Sequence, residues 1–355
     1  MQTAAEVKIP RTLEPNAEWR QPDVADPASY TEVLDAAELE ELDAALRTAR
    51  AKGDNLLQIT KEDFPLEGLA IRLKRIENDL INGRGFVVIR GLARERYDND
   101  DMCLLYWGIG AHLGKPWAQN RHGHVLGDVT DQGKQISDPT VRGNELGSIA
   151  LPYHSDGSDL VGLMCLQTSL EGGISTVCNA LAIHNDMVRD APELAAELYR
   201  PQPYDFRGEQ PAGATRYYTM PVFTEWNDRL FVRYIRPYIL ASQRHKEAPR
   251  ISALAELAMQ YLDRLTADPQ YEVFMEFEPG DIQFVNNYHV LHGRTAYRDD
   301  PNTGKVRHLK RLWLETELLT DRPPQFINSS GSDWNSRRSI SRLDRQASPG
   351  PGGGA

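Results

Sequence analysis

A chain of 355 residues, 40% hydrophobic and 26% charged, has an ordinary soluble composition and enough length for one large domain or two small ones. Its formal net charge of −11 argues against a general nucleic-acid binder, whose footprint would be basic, and points to small-molecule partners. The longest apolar runs, such as 160–166, are far too short to span a bilayer, and the N-terminus lacks an apolar signal core; a cytoplasmic protein without membrane attachment is expected. Cys103, Cys165 and Cys178 sit in apolar surroundings without Cys-x-x-Cys spacing, so they read as small buried hydrophobes, not as a disulfide or a ligand pair.

Taken in chain order, residues 1–28 are proline-rich and polar and read as an extended arm. Asp35-Ala-Ala-Glu38 resembles a capping box, and Leu39, Leu42, Leu46 and Ala49 follow at helical spacing up to Gly53. A second amphipathic helix carries Leu69, Leu73, Ile76 and Leu80 and stops at Gly83. Residues 85–89 form an apolar run bounded by glycines, the pattern of a buried strand. A third helix holds Met102, Leu105, Ile109 and Leu113. Residues 115–148 are polar and aperiodic, a long loop expected to act as a lid that brings Gln119, Asn120 and Arg142 to a substrate.

From residue 160 onward short β-type runs alternate with turns, at 160–168, 175–179, 220–224, 230–235, 273–277, 282–286 and 308–315, interrupted by helical stretches near 192–199 and 252–265. This pattern predicts a mainly β protein with flanking helices, built on a jelly roll and not on alternating β-α units. Residues 29–327 are expected to form one domain, and 328–355, poor in apolar residues, a disordered tail.

The chemistry is carried by His154-Ser-Asp156 together with His292. Two imidazoles and one carboxylate occupy one face of an octahedral ferrous ion and leave the other face open. A second His-x-Asp copy, His184-Asn-Asp186, competes with the first. His154 and Asp156 follow an aperiodic segment containing Pro152, and on an extended chain residues i and i+2 point to the same side. His184 and Asp186 open a helical pattern, in which i and i+2 do not face each other. The first copy is therefore the expected metal pair. His122-Gly-His124 lacks a nearby carboxylate on a rigid strand and reads as solvated loop. Downstream, the strand-like Arg307-His-Leu-Lys-Arg311-Leu-Trp-Leu points Arg307 and Arg311 the same way, which suits a dicarboxylic cosubstrate and an acidic substrate.

With these residues in view, the stretch from about Gly85 to Leu314 resembles the TauD/TfdA family of Fe(II)/2-oxoglutarate-dependent dioxygenases, within the γ-butyrobetaine-hydroxylase-like group. The anchors are Gly85-Phe-Val-Val-Ile-Arg-Gly, His154-Ser-Asp156, Gly172-Gly-Ile-Ser-Thr176, Pro279-Gly-Asp-Ile-Gln-Phe-Val-Asn-Asn287, Leu291-His292-Gly-Arg-Thr-Ala-Tyr297 and Arg307-His-Leu. The resemblance implies a double-stranded β-helix of cupin type. It implies iron on His154, Asp156 and His292, the far carboxylate of 2-oxoglutarate on Arg307 assisted by the Thr176 hydroxyl, and an anionic substrate group on Arg311. It also implies that dioxygen is consumed while 2-oxoglutarate becomes succinate and carbon dioxide and a C–H bond of a small molecule is oxidised. Asp156 is a carboxylate where related halogenases need an open site, which favours hydroxylation. A carboxylate, amino acid or sulfonate substrate fits Arg311; oligomeric state stays open, a homo-oligomer included. Two rivals also stay open at this level, a non-redox cupin-type isomerase or hydrolase and a non-enzymatic ligand-binding jelly roll.

Overall fold

The computed structural model describes residues 10–14, 17–135, 137–138, 141–147, 149–328 and 338–340. The helices form where the sequence places them. Asp35 and Glu38 close a capping box on Ala36–Lys52, and the helix buries Leu42, Ala45, Leu46 and Ala49. Gly68–Asn82 buries Leu69, Leu73, Ile76 and Leu80, and Asn99–Leu113 starts on the Asp98 cap. The third helix can lie close to its neighbours because Gly108 faces the Phe64 ring and Gly110 faces Leu312; a Cβ at either would come within 2.4 Å of them.

Most strands gather into two sheets. The larger runs in the order Thr31–Val33, Phe86–Arg90, Ile282–Asn286, Leu160–Gln167, His308–Glu315, His124–Val129 and Ser339–Ile340, with Lys115–Pro116 also on His308–Glu315. The smaller is Val273–Met275, Ser175–Asn179, Val290–Arg294 and Leu151–His154. Side-chain alternation divides the work of the larger sheet. Phe86, Val88, Val161, Val285 and Trp313 pack with Val177, Val273 and Val290 of the smaller sheet in one core between the two. Val87, Ile89, Phe284, Leu312 and Leu314 face the other way, into the apolar cluster shared with the three N-terminal helices. Phe86–Arg90 is thus buried on both faces, which is why it reads as a continuous apolar run. On the outer face of the smaller sheet, Cys178 and Leu291 join the apolar cluster that includes the helices Ala180–Asp190 and Ala253–Thr266.

Some expectations change here. Residues 115–148 are not one loop: Lys115–Pro116 and His124–Val129 pair with the strand His308–Glu315, since Val125 and Leu126 bring apolar surface enough to bury. The runs at 220–224 and 230–235 form separate ribbons outside both sheets, one a hairpin turned by Asn227 and Asp228 at positive φ. Within the expected tail, Ser339–Ile340 adds a parallel strand to His124–Val129; residues 329–337 and 341–355 lie outside the described residues. Of the N-terminal arm, residues 1–9, 15 and 16 lie outside them as well. Its described part is docked, with Leu13 exchanging two backbone hydrogen bonds with the Asn185 amide and Trp19 donating to the Arg84 carbonyl. All three cysteines are buried free thiols. Among the described residues, no helix is long and apolar enough to cross a membrane.

Candidate active site

Strand register brings the two histidines together. His292 on Val290–Arg294 lies directly opposite His154 on Leu151–His154, with ring centroids 4.3 Å apart. Asp156, just past the strand end, places its carboxylate oxygens 4.0 Å from His154 Nε2 and 3.8 Å from His292 Nε2. All three side chains are buried, and their ligand atoms lie within 4.8 Å of one another; among the described residues no other such cluster of histidine, cysteine and carboxylate occurs.

The surroundings prepare these groups for a cation. His154 Nδ1 sits 2.8 Å from the Pro152 carbonyl, which can only accept, so Nδ1 carries the hydrogen and Nε2 keeps its lone pair toward Asp156. Burial lowers the basicity of both imidazoles, pushing His292 down to about 3, so both are neutral ligands at physiological pH. Burial alone would raise Asp156, but Arg311, the two histidines and the Trp313 indole together hold it well below the ordinary carboxylate range. Arg311 Nη1 and Trp313 Nε1 both donate to Asp156 Oδ2, at 3.1 and 3.0 Å, which leaves Oδ1 for a metal. The Asp156 backbone is fixed too: its N–H donates to Asn287 Oδ1 at 2.6 Å, and its carbonyl accepts from Asn287 Nδ2 and from Arg233.

Beside the triad lies a cavity of about 40 Å³ lined by Arg294, Arg307, Ser175 and Leu163. Arg307 is 4% exposed, its Nη1 has no partner, and no carboxylate lies within ion-pair distance of it or of Arg294 among the described residues. Burial first, then the nearby Arg294, pushes Arg307 down to about 10, so it remains a cation. Tyr297 lies under both guanidinium groups, 4.5 Å from Arg294 and 5.2 Å from Arg307. Two buried cations without an acid at ion-pair distance have the chemistry to take a carboxylate.

On the other side of the triad a cavity of about 630 Å³ opens, walled by Val141, Arg142, Leu146, Phe206, Tyr218 and Tyr238 among others. The expected substrate residues divide here. Arg142 lines the cavity but is paired with Glu209 at 2.6 Å. Arg311 lines it and is held by Asp156 and by Gln119 Oε1 at 2.9 Å. Asn120 is not brought to the cavity: its side-chain oxygen accepts from the N–H groups of His122 and His124, closing a local turn.

Thr176 is a correction. In Ser175–Asn179, Val177 opposes His292 and Ser175 opposes Arg294, so Ser175 shares their face while Thr176, opposite Gly293, points the other way beside Tyr153. The sequence stretch 172–176 offers two adjacent hydroxyls, and only the register says which one turns inward. Arg294, Asn287 and Trp313 were also not singled out, although Trp313 sits on the predicted arginine face. The rival motif is settled by its helix: His184 Nε2 meets the Tyr199 hydroxyl at 2.7 Å, and Asp186 pairs with Arg20 at 2.8 Å and with Arg189.

A buried two-histidine, one-carboxylate cluster with an acid-free arginine pair on one side and an open cavity on the other defines a metal-dependent enzyme that takes an anionic co-ligand. Residues 52–313 match the family model described as taurine catabolism dioxygenase TauD, TfdA family, and the chain belongs to that family. It is 31% identical over 302 residues to FR-33289 synthase of Streptomyces rubellomurinus, covering 84% of this chain and 89% of that protein. The fold is shared with the non-haem iron oxygenase OrfP, solved with Fe, succinate and (3S)-hydroxy-L-Arg (TM-score 0.60, 18% identity, 81% of this chain and 95% of that one). It is also shared with asparagine oxygenase, solved with Fe(II), 3-hydroxyasparagine and succinate (TM-score 0.59, 18% identity, 81% and 94%). The protein is an oxygenase that uses Fe(II), 2-oxoglutarate and dioxygen on a small-molecule substrate.

Proposed function

We propose that His154, Asp156 and His292 hold the ferrous ion in a double-stranded β-helix, that Arg307 binds the distal carboxylate of 2-oxoglutarate, and that Ser175 and Arg294 complete this subsite. The observation that carries the reading is the buried, acid-free Arg294–Arg307 pair next to the triad. A non-redox isomerase or hydrolase of cupin type has no use for it. Iron, dioxygen and 2-oxoglutarate together supply the oxidising power that removes hydrogen from an unactivated C–H bond, with succinate and carbon dioxide released.

The protein's own residues do the positioning. Neutral His154 and His292 offer Nε2, Arg311 and Trp313 hold Asp156 by one oxygen, and Asn287 fixes the ligand-bearing turn. The substrate, a small carboxylate, amino acid or sulfonate, enters the larger cavity with its reacting carbon toward His154 and Asp156. The segment 141–147, which lines that cavity, acts as its lid; Arg294 ties it down by donating to the Leu146 carbonyl at 3.0 Å. Residues 29–327 form one cytosolic catalytic domain.

An anaerobic titration with Fe(II) and 2-oxoglutarate tests the assignment. The weak metal-to-ligand charge-transfer band should grow in the wild type, be absent in His154→Ala, and need on the order of 100-fold more 2-oxoglutarate in Arg307→Ala, the scale of a lost two-point charged contact. No band in the wild type, or an unchanged titration in Arg307→Ala, would sink it.

A further inference from the structure

Arg311, the side chain offered by the sequence to an anionic substrate, is already engaged by Asp156 and Gln119. The substrate cavity contains two other arginines that form no ion pair with a carboxylate among the described residues. Arg233 is 7% exposed; it donates to the Asp156 carbonyl and to the Tyr218 hydroxyl at 3.2 Å, while its Nε has no partner. Arg207 lies over Tyr238 at 5.1 Å and donates to the Val141 carbonyl, and its buried Nε also has no partner. Both line the cavity, and neither has a carboxylate within ion-pair distance among the described residues.

The acids of the same cavity are, by contrast, all engaged. Glu209 pairs with Arg142 at 2.6 Å, Asp205 accepts at Oδ1 from Arg244 Nη2 at 3.2 Å although its Oδ2 has no hydrogen-bond partner, and Asp156 belongs to the triad. Arg207 is moreover held at a φ of 54°, with its N–H donated to Asp205 Oδ1 at 2.6 Å. A non-glycine residue keeps that left-handed conformation only where its surroundings enforce it, which fixes the backbone at Arg207, while the Tyr238 ring and the Val141 carbonyl hold its guanidinium. Carbonyl and phenol oxygens satisfy hydrogen bonds but do not neutralise a buried cation; an oxyanion does both.

We propose that the substrate carries an oxyanion, a carboxylate or a tetrahedral oxyacid group, that binds in this cavity on Arg233 and Arg207, apart from the Arg311 position. Because Arg233 also donates to the backbone carbonyl of Asp156, an anion seated on it is referenced directly to a residue of the metal site. That link fixes which carbon of the substrate reaches the iron. The same charges disfavour a substrate with a guanidinium or ammonium side chain, in contrast to OrfP, solved with a hydroxylated arginine. The inference rests on the oxygenase assignment above.

Its test keeps the two apart. The enzyme loaded anaerobically with Fe(II) and 2-oxoglutarate is titrated calorimetrically with butyrate, propylphosphonate and agmatine, and the charge-transfer band is recorded separately for every variant. Anions should bind and agmatine should not. Arg233→Ala and Arg207→Ala should each weaken the anion by at least about tenfold, the scale of a lost charged hydrogen bond, with Arg233→Lys recovering part of the loss. Tighter butyrate marks a carboxylate subsite, tighter propylphosphonate a tetrahedral one. Agmatine binding as well as the anions, neither anion binding, or affinities within about twofold of wild type in both alanine variants overturns the proposal. A missing band in the wild type fells the oxygenase assignment alone, because calorimetry still decides the anion site. If one variant fails to fold, the other decides.

Discussion

His154-Ser-Asp156 and His184-Asn-Asp186 are the same three-residue pattern, thirty residues apart, with opposite fates. The first ends a strand, so both side chains leave the backbone on one side and meet His292 across the sheet. The second lies in the helix Ala180–Asp190, where two positions are turned by about 200°, slightly more than half a turn; His184 goes to Tyr199 and Asp186 to Arg20, Arg189 and Tyr271. Backbone period, not composition, separates a metal site from two structural contacts.

The contrast breaks most visibly on substitution of the two aspartates. Asp156→Ala should lower turnover by roughly three orders of magnitude or more, since the proposed iron site loses its only anionic protein ligand. Asp186→Ala should leave turnover within about twofold and cost about 1–2 kcal/mol of stability, its ion pairs being partly solvated. Succinate release and denaturant melts on both variants check this; equal loss of turnover would mean the helical copy matters to chemistry.

The same alternation acts on the neighbouring strand, with a smaller expected effect. Ser175→Ala should raise the KM for 2-oxoglutarate roughly tenfold, as a hydroxyl–carboxylate bond is lost, whereas Thr176→Val should change it by less than about twofold. The reverse ranking would mean that the strand register differs in the working enzyme.

The smallest effect is a pH signature of the helical copy. Burial holds His184 down to about 4, whereas an imidazole in the unfolded chain titrates near 6.5. Between these values the unfolded chain binds more protons, so stability is full above about pH 6.5 and falls as pH drops toward 4. The loss reaches about 1–3 kcal/mol near the bottom of that window. His184→Gln should make the decline shallower by its own share, with the buried His289, His292 and His154 keeping the rest, seen as denaturant midpoints between pH 7 and pH 4.5. A variant as pH-sensitive as the wild type would place the titrating group elsewhere.

Much of this was legible in the chain itself. The three N-terminal helices announce themselves by caps and period, the run at 85–89 by unbroken apolarity, and the triad by spacing on an extended segment. The stretch 115–148 reads as one loop because a polar edge strand such as His124–Val129 carries little period of its own. That Ser175 and not Thr176 turns toward the arginines, and that Asn120 closes a local turn, is not legible in the chain, because a side chain's direction in an irregular or short β segment depends on a partner the sequence does not specify. Arg294 and Arg233 look like any other arginine until the fold leaves each without a carboxylate at ion-pair distance among the described residues.

Local chemistry was therefore decided by the sequence: which residues can bind a metal, which segments are helical or extended, and that two arginines follow on one strand. These follow from periods of two or 3.6 residues and from side-chain identity, which are properties of neighbours along the chain. Tertiary structure decided what depends on distant partners. It set His292 opposite His154, turned Ser175 inward, committed Arg311 to Asp156, and left Arg294, Arg307, Arg207 and Arg233 without a carboxylate at ion-pair distance among the described residues. Register and ion pairing are long-range choices made by burial across both sheets, and no short window of sequence contains them.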